Sequence, residues 1–139
     1  MRRSATLFLA FVVAAALAAG AAGVSIMDNP QAARFKRLDA QRLQDLRALG
    51  NAIDGYKRKT HKLPESLDVL AQDSPLQRLK LLDPEQKAYV YRAKGEAAYE
   101  LCAHFDMAAD ENATPYGFPG GAKHPAGDHC FALTSGQAS

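Results

Sequence analysis

The sequence predicts an α+β fold, a long N-terminal helix packed on a small antiparallel β-sheet, preceded by an apolar anchor or signal helix. Three observations predict it. Residues 4–27 carry no charge, apolar residues then recur at helical spacing from Phe35 to Tyr56, and the C-terminal half alternates apolar and polar residues between turn signals. At 139 residues the chain has room for one small domain, which excludes a multidomain enzyme. The expected division is residues 1–27 as signal anchor or signal peptide and residues 28–139 as the folded domain. Two of the 17 basic residues, Arg2 and Arg3, precede the apolar run, and all 15 acidic ones follow it, so residues 28–139 carry 15 of each sign. A neutral domain lacks the clustered cations that nucleic-acid affinity requires, so no nucleic-acid partner is expected.

Met1-Arg2-Arg3, the hydrophobic run Leu7 to Leu17 and the small residues after it have the layout of an export signal. Ala16-Leu17-Ala18 and Ala18-Ala19-Gly20 both satisfy a small-x-small cleavage site. Uncleaved, the 24 residues from Ser4 to Met27 would extend roughly 36 Å as a helix, enough for a bilayer core of about 30 Å. The expectation is a single inner-membrane span through residues 4–27; a cleaved signal peptide and a buried soluble helix are the other readings. Arg34, Lys36 and Arg37 balance Arg2 and Arg3, so charge asymmetry does not set the orientation. The two cysteines do bear on it. Cys102 and Cys130 fit no zinc or haem spacing, and a small chain with one such pair reads most simply as a disulfide formed in an oxidising compartment, the other reading being small buried hydrophobes in a reducing cytosol.

Asp28-Asn29-Pro30 starts the long helix, with a capping side chain before a first-turn proline. Phe35, Leu38, Leu43, Leu46, Leu49, Ile53 and Tyr56 keep one apolar stripe. The charges between them, including Arg42 with Asp45 and Asp54 with Lys57 and Arg58, read as a solvated face. Lys57-Arg58-Lys59 suits the negative end of the helix dipole. Leu63, Pro64, Leu67 and Leu70 predict a short second helix or turn, Leu76 to Leu82 touches the core, and Asp83-Pro84-Glu85-Gln86 is a turn. Strands follow over Lys87–Arg92 and Ala97–Phe105, with a turn at Ala93-Lys94-Gly95-Glu96, and a last strand over His129–Leu133. Tyr99, Leu101, Ala103 and Phe105 share one face, and Glu100, Cys102 and His104 share the other. Cys130 falls on the side of Cys102, so the sulfurs can meet across neighbouring strands. Residues 106–128 form a long surface loop in which Tyr116 and Phe118 are candidates for contact with a partner.

This order of elements resembles the major pseudopilin of type II secretion systems. The residues carrying the likeness are Asp45-Leu46-Arg47, Leu49, Ala52-Ile53 and Tyr56, then Leu63-Pro64 with Leu67 and Leu70, Asp83-Pro84, Tyr89-Val90-Tyr91 and Tyr99-Glu100-Leu101-Cys102. The chain is also similar to small uncharacterised bacterial membrane-anchored proteins with Cys102-Ala103 and Cys130-Phe131 pairs near the C-terminus. The resemblance covers residues 28–133 and implies a pseudopilin-like periplasmic domain. Pseudopilins are cut after a glycine that precedes a Phe/Met-Thr-Leu-x-Glu start, whereas here Ala5-Thr6-Leu7-Phe8-Leu9 follows Arg2-Arg3-Ser4 and no acidic residue precedes Asp28. Major pseudopilins hold calcium in the loop corresponding to Asp106, Asp110, Glu111 and Asn112, with Asp128 nearby. The spacing here follows no calcium-loop template, so these stand as candidates while no metal or other cofactor is expected.

No catalytic constellation is legible. His61, His104, His124 and His129 lack a second pair at zinc-ligand spacing, and no serine sits in a nucleophile elbow. Tyr89, Tyr91 and Tyr99 read as core against the helix. The expected function is a non-enzymatic envelope protein, a binding or structural module for an unknown envelope partner. The alternatives are a minor pseudopilin subunit of a type II secretion or pilus system, and a small periplasmic enzyme or inhibitor.

Overall fold

The computed structural model describes residues 11–15, 29–109, 118 and 123–136. The chain divides into two compact units, residues 1–33 and 34–139. In the first, residues 11–15 are helical, and the Asn29 side chain accepts the Gln31 backbone N–H at 3.0 Å, capping the helix that begins at Pro30. Among the described residues no helix is long and apolar enough to cross a membrane. The run predicted as an anchor lies, apart from residues 11–15, outside the described residues.

The second unit is α+β, a long helix packed on a three-stranded antiparallel sheet. Helix α1 spans Pro30–Thr60 and buries Leu43, Leu46, Leu49 and Ile53 of the predicted stripe together with Ala52, whereas Phe35, Leu38 and Tyr56 are half-buried. Helix α2, Leu67–Asp73, sets Leu67 and Leu70 into the same core. Its start is fixed by Ser66, whose hydroxyl accepts the Val69 N–H at 3.2 Å. An N-cap of this kind is worth about 1 kcal/mol. Ser66→Ala should therefore lower the unfolding free energy by about that amount without changing the denaturant slope, measured by urea titration.

Strands β1 (Val90–Ala93), β2 (Ala98–Phe105) and β3 (Gly127–Thr134) form a meander in the order β1-β2-β3. The first is shorter than expected because the chain turns tightly just before it. Asp83 donates its N–H to Lys87 O at 2.8 Å and Gln86 donates to Asp83 O at 3.0 Å, so residues 83–87 form a loop closed by a bridge between Leu82 and Ala88. Tyr99, Leu101, Phe105, Phe131 and Leu133 face α1, as the alternation predicts, and Tyr89 and Tyr99 belong to that core. Gly127, opposite Phe105, has φ 98°, a left-handed conformation that a side chain would strain.

Three expectations change. Arg42, Asp45 and Asp54, read as solvated charges, are buried. Phe118, expected on the loop surface, is 5% exposed and packs on Phe131 with ring centroids 4.6 Å apart, so the core needs its ring. Leu76, expected to touch the core, is 96% exposed in a 3-10 turn over Pro75–Gln77, while Leu79 and Leu81 make the inward contact instead.

Candidate functional site

Two clusters of polar side chains dominate the second unit, one inside it and one on the outer face of the sheet. The inner cluster is centred on Arg42, whose side chain is 0% exposed. Its position follows from α1, because residue 42 sits beside Leu43 and Leu46 on the face turned towards the sheet. The guanidinium Nε donates to Asp83 at 2.8 Å, Nη1 to Asp39 at 2.8 Å and to Asp106 at 2.6 Å, and Nη2 to Glu85 at 2.6 Å. One cation thus joins the helix, the turn before β1 and the end of β2. The carboxylates are themselves held. Asp39 accepts the N–H groups of Asp106 and Met107 at 3.0 and 2.9 Å, and Asp83 accepts those of Glu85 and Lys87, both at 2.8 Å.

Burial of Arg42 works against its charge, but the bonds to Asp106, Asp83 and Asp39 outweigh it and hold the proton well above the usual range. Burial likewise opposes the Asp83 charge. Its backbone bonds from Lys87 and Glu85, with the guanidinium, prevail and bring its carboxyl below 3.8. Asp45 accepts the Tyr89 hydroxyl at 3.0 Å instead of pairing with Arg42, and burial followed by this carboxylate raises the phenol. Asp54 accepts the Gly136 N–H at 3.0 Å and ties the end of the sheet to α1.

Asp106, the described member of the calcium set, gives its Oδ2 to the Arg42 guanidinium; Asp110, Glu111 and Asn112 lie outside the described residues. Tyr116 also lies outside them. Among the described residues no group of three or more His, Cys, Asp or Glu side chains is arranged to hold a metal ion. The histidines are dispersed: His61 ends α1, His124 stacks on Phe105 at 3.7 Å, His129 meets Phe131 edge-on at 4.7 Å, and His104 lies on the outer sheet face.

Burial, then the neighbouring His124, bring His129 below its ordinary value of 6.5. A group whose folded value is depressed gives stability above its unfolded value and loses it as the pH falls. His129 and Asp83 therefore act in separate windows, from about 6.5 downward and from about 3.8 downward. Urea midpoints measured from pH 8 to pH 3 should fall in two steps, and His129→Gln should remove the upper one.

The outer cluster is built on the register of β2 and β3. Cys102 stands opposite Cys130 and His104 opposite Asp128, with the two pairs adjacent on one face. The cysteines form a disulfide across 28 residues of chain. Next to it His104 Nδ1 lies 2.8 Å from Asp128 Oδ1. Both pairs line a cleft of about 420 Å³ whose third wall is the segment Lys87 to Arg92. A second groove, of about 510 Å³, lies between α1 and residues 77–80 and is lined by Arg37, Gln41, Gln44, Arg78 and Lys80.

In comparisons with protein-family models, curated proteins and solved structures, nothing matches the chain. The sequence signal for Arg42 was present but carried two meanings. Asp39 and Asp45 each lie three residues from it, a spacing shared by ordinary surface pairs, and Asp83, Glu85 and Asp106 are distant in the chain.

Proposed function

We propose that this protein is a non-enzymatic bacterial envelope protein with a pseudopilin-like periplasmic domain, serving as a binding or structural module. The observation that carries this reading is the disulfide between Cys102 and Cys130, which implies an oxidising compartment for a chain that opens with a basic start and an uncharged run of 24 residues. The engagement of the buried acids supports a structural role for them. Asp39, Asp83 and Asp106 hold Arg42, Asp45 holds Tyr89, and Asp54 holds Gly136. Residues 4–27 would fix the domain to the inner membrane.

Fractionation of the native cells with intact-mass measurement tests the reading. A full-length chain in the membrane fraction, about two mass units lighter before reduction than after, is the expected result. A mass starting between Gly20 and Ser25 would mean a soluble periplasmic protein, and free thiols on a cytosolic chain would overturn the envelope reading.

A further inference from the structure

The disulfide lies within the outer cleft, and its two halves are unlike. Cys102 is buried on the central strand, whereas Cys130 is exposed on β3, at the sheet edge. His104 follows Cys102 by two residues on the same face of β2, and both line the cleft. Asp128 holds one ring nitrogen at 2.8 Å, which leaves Nε2 free of that bond. The opposite wall brings Lys87 and Arg92 to the cleft, with Asp83 and Tyr89 at its inner end. Arg92 is 3.8 Å from Glu100 and Lys87 is 3.7 Å from Glu85, so neither cation is committed to the disulfide.

We propose that this cleft is a thiol–disulfide exchange site at which a dithiol reductant reduces Cys102–Cys130, with His104 as proton donor to the departing sulfur. A thiolate of the reductant attacks the exposed Cys130 Sγ. The new S–S bond joins reductant and Cys130, the old one breaks, and its electron pair goes to Cys102 Sγ. The imidazolium of His104, oriented by Asp128, gives that sulfur its proton and becomes neutral. The second thiolate of the reductant then attacks its own sulfur in the mixed disulfide, and Cys130 leaves and takes a proton from water. Two electrons pass from the dithiol to the protein, and the dithiol ends as a disulfide. In the reverse direction neutral His104 takes the proton from the Cys102 thiol. Asp128 is a positioning residue, acting through His104.

The inference is independent of the envelope reading, because it is tested on the purified oxidised chain. Dithiothreitol is the probe, and the rate is followed by quenched alkylation and mass measurement between pH 5 and pH 8.5. The wild-type rate should exceed, at low pH, what the thiolate fraction of dithiothreitol predicts. His104→Gln should be reduced at least about fivefold more slowly at pH 6, with Asp128→Asn between it and wild type. His104 is on the surface, so melting of the oxidised variant should be unchanged, and His61→Gln should react as wild type does. A His104→Gln rate equal to wild type at pH 6 would overturn the proposal. Reduction that keeps pace with global unfolding in urea would overturn it as well.

Discussion

Replacing Arg42 by methionine should remove about 3–5 kcal/mol of stability, enough to unfold a domain of ordinary stability at 37 °C. The reason is the number of anions left behind. Asp39 and Asp83 are buried, Asp106 and Glu85 partly so, and all four accept from the one guanidinium. Removing the cation leaves four carboxylates facing one another with little water between them. Methionine fills most of the volume, so the loss measures charge and not cavity. Arg42→Lys should recover little, because an ammonium is a single point where the guanidinium uses Nε, Nη1 and Nη2 in three directions. The decisive comparison is between pH 7 and pH 3.5. Arg42 helps to hold the Asp83 carboxyl below its ordinary value, a contribution to wild-type stability that is lost as the pH falls and that the methionine variant lacks, so the gap between their urea midpoints should narrow as pH falls. A gap of constant size would mean that the side chain matters for packing alone.

The second large effect is expected from Cys102→Ala with Cys130→Ala. The bridge spans 28 residues, for which chain-entropy arguments give about 3–4 kcal/mol from restriction of the unfolded state. The same loss should be seen when the wild type is reduced, because the two thiols remain directly opposite in the sheet. Agreement between the double variant and the reduced wild type, within about 1 kcal/mol, would place the effect in the bridge itself. A reduced protein as stable as the oxidised one would remove the bridge from the list of forces that hold the fold.

The fold was legible where a residue's role depends on its near neighbours. The stripe from Leu43 to Ile53, the Asp83 turn and the alternation along β2 are all local patterns, and the described elements follow them. The cysteine pairing was legible too, because it needed only the side of the strand on which each residue falls. Arg42 and Asp54 were misread for the opposite reason. Apart from Asp39, their partners lie 41–82 residues away, and no spacing rule on a helix announces a charge that will be buried by a distant loop. Phe118 was hidden by its surroundings, since a phenylalanine among glycines and prolines reads as loop although its ring completes the core beside Phe131.

The sequence distances around Arg42 also set an order of events. Asp39 is three residues away, whereas Asp83, Glu85 and Asp106 are 41, 43 and 64 away. The cluster closes only when helix, turn and strand have already been brought together, so it contributes little to the barrier that limits folding and much to the barrier that limits unfolding. Substitutions at Arg42 should leave the refolding limb of a chevron almost unmoved and shift the unfolding limb upward. The residue then acts as a latch on the lifetime of the folded state.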